Sequence, residues 1–174
     1  MPPTRTANLL GALCSLVNSL QNRHLRRHPN QTDSSAAALN VIGFYRGCSN
    51  LRLSQALRLS HPATVRLVDR LEEDGLVESR TGDDRRSVAL FLTALGERRL
   101  IEILHCRAES LEDVLQPLSL HERDTLARLL GKLLKSQVSA RGDDDYICRL
   151  CNGDLCPPER CPVHLAAEAL AFPG

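Results

Sequence analysis

Two stretches of the chain hold residue types that could do chemistry. One is C-terminal, YICRLCNGDLCPPERCPVHLAAEALA. Cys148 and Cys151 form a C-x2-C, Cys156 and Cys161 follow at intervals of five, and Cys161 with His164 forms a C-x2-H. A C-x2-C lets two thiolates take adjacent corners of a tetrahedron, and a second close pair across a Gly- and Pro-containing loop completes it. Zinc takes mixed sulfur and nitrogen ligands and needs no redox role, so Zn2+ is the default occupant; an iron–sulfur cluster is the alternative cofactor. Five candidates compete for four places: Cys148, Cys151, Cys156 and Cys161, or His164 in place of one cysteine. The same thiols could act as a dithiol switch. Gly142 and Asp143 to Asp145 read as a hydrophilic linker, which also allows a tail that is disordered without metal.

The other stretch is Leu53 to Thr93, LSQALRLSHPATVRLVDRLEEDGLVESRTGDDRRSVALFLT. It reads as a short helix, a tight turn, a second helix and a two-stranded hairpin with a charged tip. A helix beside a charged hairpin suits the two grooves of duplex DNA.

Composition sets the frame for both. At 174 residues the chain holds one domain of ordinary size plus a small appendage. Hydrophobic residues make up 43% and aromatics 3%, so Leu, Ala and Val must pack the core, which favours helices. The net charge of +1 says nothing about nucleic acid, but its distribution does: +4 over residues 1–50, 0 over 51–93, +1 over 94–141 and −4 over 142–174. No apolar run approaches the roughly 18 residues of a membrane-spanning helix. The N-terminal apolar segment is followed at once by a basic run from Arg23 to His28, and no small-residue cleavage site closes it. We read it as an amphipathic helix of a cytoplasmic protein, in which seven cysteines are thiols or metal ligands rather than a disulfide framework. No Gly-rich phosphate loop, Ser-His-Asp arrangement or recognisable carboxylate pair is present, and His105 is next to Cys106 only in sequence. An enzyme is not expected.

The elements follow from periodicity. Leu9, Leu10, Leu13, Leu16, Val17 and Leu20 mark one face of a helix from Asn8 to about Arg27. A second helix, roughly Ser35 to Arg46, is capped by Asp33 or Ser34 and stopped by Gly47. A short helix covers Leu53 to Leu59 with Ser54 as its N-cap. The next runs from Ser60 to about Glu73, with Pro62 in its first turn and Gly75 past its end. Leu76–Arg80 and Ser87–Thr93 alternate as strands around a turn at Thr81 to Asp84. Two long helices complete the frame, Ala94 to Leu115 and, after Pro117 and the Ser119 cap, a second to about Ala140. The expected fold is mainly α with a small β-hairpin wing: a winged helix-turn-helix (about 50–96) framed by N- and C-terminal dimerisation helices over 1–141, then the Cys-rich tail at 142–174. Apolar stripes at both ends exceed what a small head needs, so pairing as a homodimer is expected, with two heads one DNA turn (~34 Å) apart.

Over Leu9 to Val138, and most sharply between Leu53 and Gly96, the sequence resembles the MarR family of winged-helix transcription regulators. The wing pattern Asp-x-Arg, then Leu-Thr-x-x-Gly, is met by Asp84, Arg86, Leu92, Thr93 and Gly96. The resemblance implies a double-stranded DNA operator, near-palindromic, and a repressor released by a small molecule bound between the dimer helices and the head. Some members respond to thiol oxidation instead. Cys14, in LLGALCSLV, lies where those members place a reactive cysteine, although the aromatic hydroxyl partners are missing around it.

The residues agree with that expectation. Ser60, His61, Pro62, Ala63 and Thr64 open the recognition helix, the end that meets bases and phosphates. Ala63 and Thr64 are small enough to approach a thymine methyl, and Arg66 and Arg70 share a face, with Arg66 suited to a base edge. A salt bridge to Glu73 or Asp74 is the competing role for Arg70. At the wing, Arg86 suits a narrow minor groove with Asp84 steadying its guanidinium, while Arg85 and Arg80 hold phosphates. Arg58 is expected to face DNA with them, and Glu72 to Asp74 to turn away. The other reading of the whole is a metal-dependent redox or protein-interaction module carried by the Cys cluster.

Overall fold

The head is built outward from one small-residue helix. The computed structural model describes residues 4–25, 32–81 and 88–171. Helix α2 (Asp33–Phe44) buries Ala36, Ala37, Ala38, Leu39, Val41 and Ile42. A helix buried on so many sides is a core post, and its alanines let neighbouring backbones come close. Helices α3 (Asn50–Leu57) and α4 (His61–Glu73) pack on it through Leu53, Ala56 and Leu57, and through Leu67, Val68 and Leu71. The antiparallel strands β1 (Val77–Thr81) and β2 (Val88–Leu92) close the cluster with Val77 and the fully buried Leu90. Their register runs from Val77 opposite Leu92 to Thr81 opposite Val88. This is the winged helix-turn-helix expected from the sequence, mainly α with a two-stranded wing.

Cap chemistry moved several expected boundaries. Helix α2 is capped by Thr32, whose hydroxyl accepts from the Ser35 N–H at 3.1 Å, rather than by Asp33 or Ser34. Helix α3 starts earlier than Leu53 because Ser49 is its cap, accepting from the Arg52 N–H at 3.2 Å. Ser54, the expected cap, is buried inside the helix and donates to the Leu51 carbonyl at 2.7 Å. Gly47 takes a left-handed φ of +76°, which turns Cys48 back onto the wing. There the Gly47 N–H donates to Leu90 O at 3.0 Å, and the Leu90 N–H to Cys48 O at 2.9 Å, a third short edge that periodicity does not reveal.

Helix α5 (Ala94–Leu115) begins at a joint that explains the Leu-Thr-x-x-Gly pattern. The Thr93 hydroxyl donates to Gly75 O at 2.6 Å and accepts from the Gly96 N–H at 3.0 Å, so one side chain ties the end of α4 to the start of α5. A Cβ at Gly96 would lie 1.9 Å from the Leu76 carbonyl oxygen. Helix α1 (Arg5–Leu25) packs along α5 and leaves Leu9, Leu10, Leu13 and Leu16 exposed. Helix α6 (Leu120–Lys135) opens with a Ser119/Glu122 capping box, buries no residue and exposes Leu129, Leu130, Leu133 and Leu134. It ends at Lys135 rather than near Ala140, because the N–H groups of Ser139 and Ala140 are bound by the Asp143 carboxylate at 2.8 and 2.9 Å.

That carboxylate also overturns the reading of the tail's start as a linker. Asp143 is buried and opens a short helix α7 (Asp143–Ile147). A 3-10 turn (Pro158–Arg160) and helix α8 (Pro162–Ala171) follow. Helix α7 packs on α3, and α8 packs on α6 and α7. No helix among the described residues is long and apolar enough to cross a membrane.

Candidate nucleic-acid interface and thiol cluster

Helix α4 presents its charged face outward. Ser60 is the N-cap by backbone conformation but its side chain makes no cap bond, and Pro62 occupies the first turn. Ser60, His61 and Pro62 are exposed and Ala63 is half-buried. Thr64 is a correction: it is fully buried, and its hydroxyl donates to Ser60 O at 3.1 Å, so it packs the inner face and reaches no base. Arg66 and Arg70 are exposed and lean toward the helix N-terminus, their Nε atoms donating to Pro62 O at 3.2 Å and Arg66 O at 3.1 Å. Neither has a carboxylate partner among the described residues, so Arg70 forms no salt bridge to Glu73 or Asp74. Arg80 pairs with Glu78 on its own strand and lies over the Phe91 ring at 4.6 Å. The expected wing-tip residues Asp84, Arg85 and Arg86, and the turn after Thr81, lie outside the described residues.

The arginines of α3 have a different fate. Arg58, expected to face DNA, ends α3 in a left-handed conformation in the turn between the two helices. Its Nη2 bonds Asp143 at 2.7 Å and its guanidinium sits 3.9 Å from the Tyr146 ring centroid. Arg52 lies 3.5 Å over the Tyr45 ring and bonds Asp145 at 3.3 Å, while the Tyr45 hydroxyl donates to the same carboxylate at 2.6 Å. Burial, then the Asp145 contact, raise the Tyr45 phenol above its usual range. The Asp143 carboxyl is held down at about 2, chiefly by the N–H groups of Ser139 and Ala140 and the Ser139 hydroxyl, with Arg58 adding to them. Sequence reading missed this joint. The signal was the acidic triplet Asp143 to Asp145 in a tail of net charge −4, which needed cations to meet.

Behind α7 the four tail cysteines line one cavity of about 80 Å³, together with His164, Asn40 and Phe44. The sulfurs of Cys148 and Cys161 are 4.0 Å apart. The neighbouring Cys148 thiol, with Arg107 and Arg149 nearby, lowers the Cys151 thiol to about 7; Cys148 is in turn pushed up by Cys151 and by burial, and Cys156 is raised to about 11, chiefly by burial. From α2, the Asn40 amide donates to Arg149 O at 3.1 Å and Cys151 O at 2.9 Å, fixing the C-x2-C loop to the head. His164 is engaged on both ring nitrogens, with Asp144 at 2.8 Å and Glu168 at 3.5 Å. Among the described residues no three Cys, His, Asp or Glu side chains already surround one point as an ion would need.

Elsewhere, Cys14 is exposed on α1, Cys48 is buried with its thiol raised to about 11 by that burial, and Cys106 is half-buried. A second cavity, about 510 Å³, lies between α2, the wing and α5, lined by Gly43, Arg46, Arg80, Phe91, Glu97 and Leu100 among others.

Residues 31–87 match the sequence model described as the MarR family. Among solved structures, a MarR family protein from Bacillus stearothermophilus is 27% identical, with 76% of this chain and 92% of that chain covered and a TM-score of 0.68. Wild-type MarR from E. coli in its apo form is also 27% identical, covering 72% of this chain and 96% of that one at a TM-score of 0.60. A mutant of Staphylococcus aureus MepR bound to an oligodeoxyribonucleotide shares the fold at 18% identity, covering 78% and 100% at a TM-score of 0.59. This chain is longer than each of these solved chains. Residues 31–87 thus carry a MarR-family sequence pattern across the helix-turn-helix and the start of the wing, and about three quarters of the chain is similar in fold to MarR-family proteins.

Proposed function

We propose that this protein is a sequence-specific DNA-binding repressor that acts as a homodimer in the cytoplasm and is not an enzyme. The observation that carries the reading is the outer face of α4. It offers an exposed N-terminus at Ser60, His61 and Pro62, and two exposed arginines, Arg66 and Arg70, without carboxylate partners among the described residues. A helix so equipped enters the major groove, with its N–H groups on phosphate and Arg66 on a base edge. Arg85 and Arg86 of the wing then reach the neighbouring backbone and minor groove, with Asp84 steadying Arg86, and Arg80 joins them on exchanging Glu78 for a phosphate. The exposed leucines of α1 and α6 support the dimer, since such stripes are normally covered by a second copy.

Release follows from a signal received away from α4. The cavity between α2, the wing and α5, bordered by Arg46, Arg80 and Glu97, suits a small effector, and the tail thiols suit a metal or redox signal, Zn2+ before an iron–sulfur cluster. Cys14 is exposed and open to oxidation, a lesser candidate. Selection of bound sites from a random DNA pool tests the core of the proposal. A near-palindromic site should emerge, with half-sites about one turn (~34 Å) apart; a pool that never enriches would refute it. In the same gel shift, Arg86→Ala should weaken binding at least about tenfold with melting unchanged; unchanged binding would remove Arg86 from the interface.

A further inference from the structure

The tail grips the part of the head that orients the recognition helix. Arg58 belongs to the turn of the helix-turn-helix, and its guanidinium is held by Asp143 at 2.7 Å and by the Tyr146 ring. Arg52, six residues earlier on the same helix, is held by Asp145. Helix α7, which carries these three residues, runs directly into Cys148. Whatever fixes Cys148 therefore fixes the grip.

Four cysteines converge behind it. We propose that Cys148, Cys151, Cys156 and Cys161 form a tetrathiolate site for a zinc-class divalent cation, and that filling this site locks α7 onto the turn of the helix-turn-helix. Two sulfurs on one zinc at the usual bond length of about 2.3 Å stand about 3.8 Å apart, the edge of a tetrahedron. Cys148 and Cys161 stand 4.0 Å apart, far beyond a disulfide bond of about 2.05 Å and close to that edge. An iron–sulfur cube would place each sulfur on a different iron and hold them further apart. The Cys148 and Cys161 thiols are in contact, and all four cysteines line the same small cavity. No three of them yet surround one point, so closing the site is a matter of side-chain rotation toward that cavity. Each S–H bond gives way to a sulfur–metal bond, one proton leaves per thiol, and no electron is transferred.

The geometry also removes the fifth candidate. His164 spends both ring nitrogens on Asp144 and Glu168, which makes it a brace between α7 and α8 and not a ligand. The C-x2-C loop is anchored to the head independently by Asn40, whose amide takes the carbonyls of Arg149 and Cys151. Gly153 leaves room for the loop to close on Phe44, since a Cβ there would meet that ring at 2.8 Å. Metal site, α7 and the turn at Arg58 thus form one continuous contact path. The consequence for operator binding rests on the proposed reading of the head; the site and its grip do not.

The test uses the full chain with Zn2+ or Co2+ alone. One metal per chain is expected, with the intense visible bands of tetrahedral thiolate-bound cobalt. Cys148→Ser or Cys161→Ser should abolish it, while His164→Ala should keep full stoichiometry. Hydrogen exchange is then followed at the Arg58 and Leu59 amides, which are bonded to Gln55 O and Ser54 O. Chelation should speed exchange there about tenfold or more. Asp143→Asn should keep the metal yet exchange fast with it bound. Absence of metal binding, iron with sulfide in its place, loss of metal in His164→Ala, or equal exchange with and without metal would each overturn the proposal. None of these readings uses DNA, so a failure here is distinct from a failure to select an operator.

Discussion

Helices α3 and α4 stand side by side in the head, and both carry exposed-looking arginines in the sequence. On α4, Arg66 and Arg70 bond only to backbone carbonyls one turn back and leave their guanidinium edges to solvent. On α3, Arg52 and Arg58 are taken by the aspartates of α7 and by aromatic rings. Arginines that look interchangeable in the sequence thus meet two different fates. An arginine reads DNA only if nothing else in the protein has already neutralised it. Here the acidic tail does that for α3 and leaves α4 alone.

Replacing the open arginine is the sharpest way to break the comparison. Arg66→Ala should cost about 1–3 kcal/mol of operator affinity, roughly 5- to 150-fold, and relax specificity at one base position. Its melting temperature should stay near that of the parent, because Arg66 holds nothing else in place. A large fall in stability with binding intact would reverse the roles assigned here.

Arg58→Ala should do the opposite. Its partner Asp143 keeps three donors from Ser139 and Ala140, and the Arg58 side chain is 56% exposed, so the loss is about 1 kcal/mol. That loss should appear as faster proteolysis of the tail, with operator affinity of the metal-loaded protein changed by no more than about twofold. If Arg58→Ala matches Arg66→Ala in the gel shift, then Arg58 touches DNA after all.

Acid should loosen the same grip. The Asp143 carboxyl lies at about 2 in the folded chain against an ordinary value of 3.8. Its contribution is therefore complete above the ordinary value and is lost as pH falls through that range toward 2. In chelator-treated protein, the parent should lose tail protection between about pH 4 and 2. Asp143→Asn should lack that step, and parallel acid profiles would show that Asp143 does not hold the tail.

Much of the head was legible because its physics is local. The periodicity of α4, the glycine after it and the Leu92-Thr93-x-x-Gly96 joint all act within a few residues, and the observed helix starts at His61 and Ala94 follow them closely. Thr64 escaped because small polar residues serve equally at a surface or, bonded to their own helix, in a core. Ser54 was mistaken for a cap for the same reason, since two serines five residues apart, Ser49 and Ser54, carry the same cap signal. The tail was legible only in part. C-x2-C spacing named the four thiols, but nothing in the spacing tells which wall of the protein they face.

The sequence by itself determined the winged helix-turn-helix and singled out the helix proposed to read DNA and the four tail thiols, because backbone periodicity, capping and short-range spacing are written along the chain. Only the tertiary structure decided which arginines remain available, that Asp143 to Asp145 form a clasp and not a linker, and that His164 lies between Asp144 and Glu168. The clasp depends on ion pairs and hydrogen bonds between residues separated by 85 to 100 positions, such as Arg58 with Asp143 and Tyr45 with Asp145. Such pairs form only after packing has brought their helices together, so no local pattern announces them.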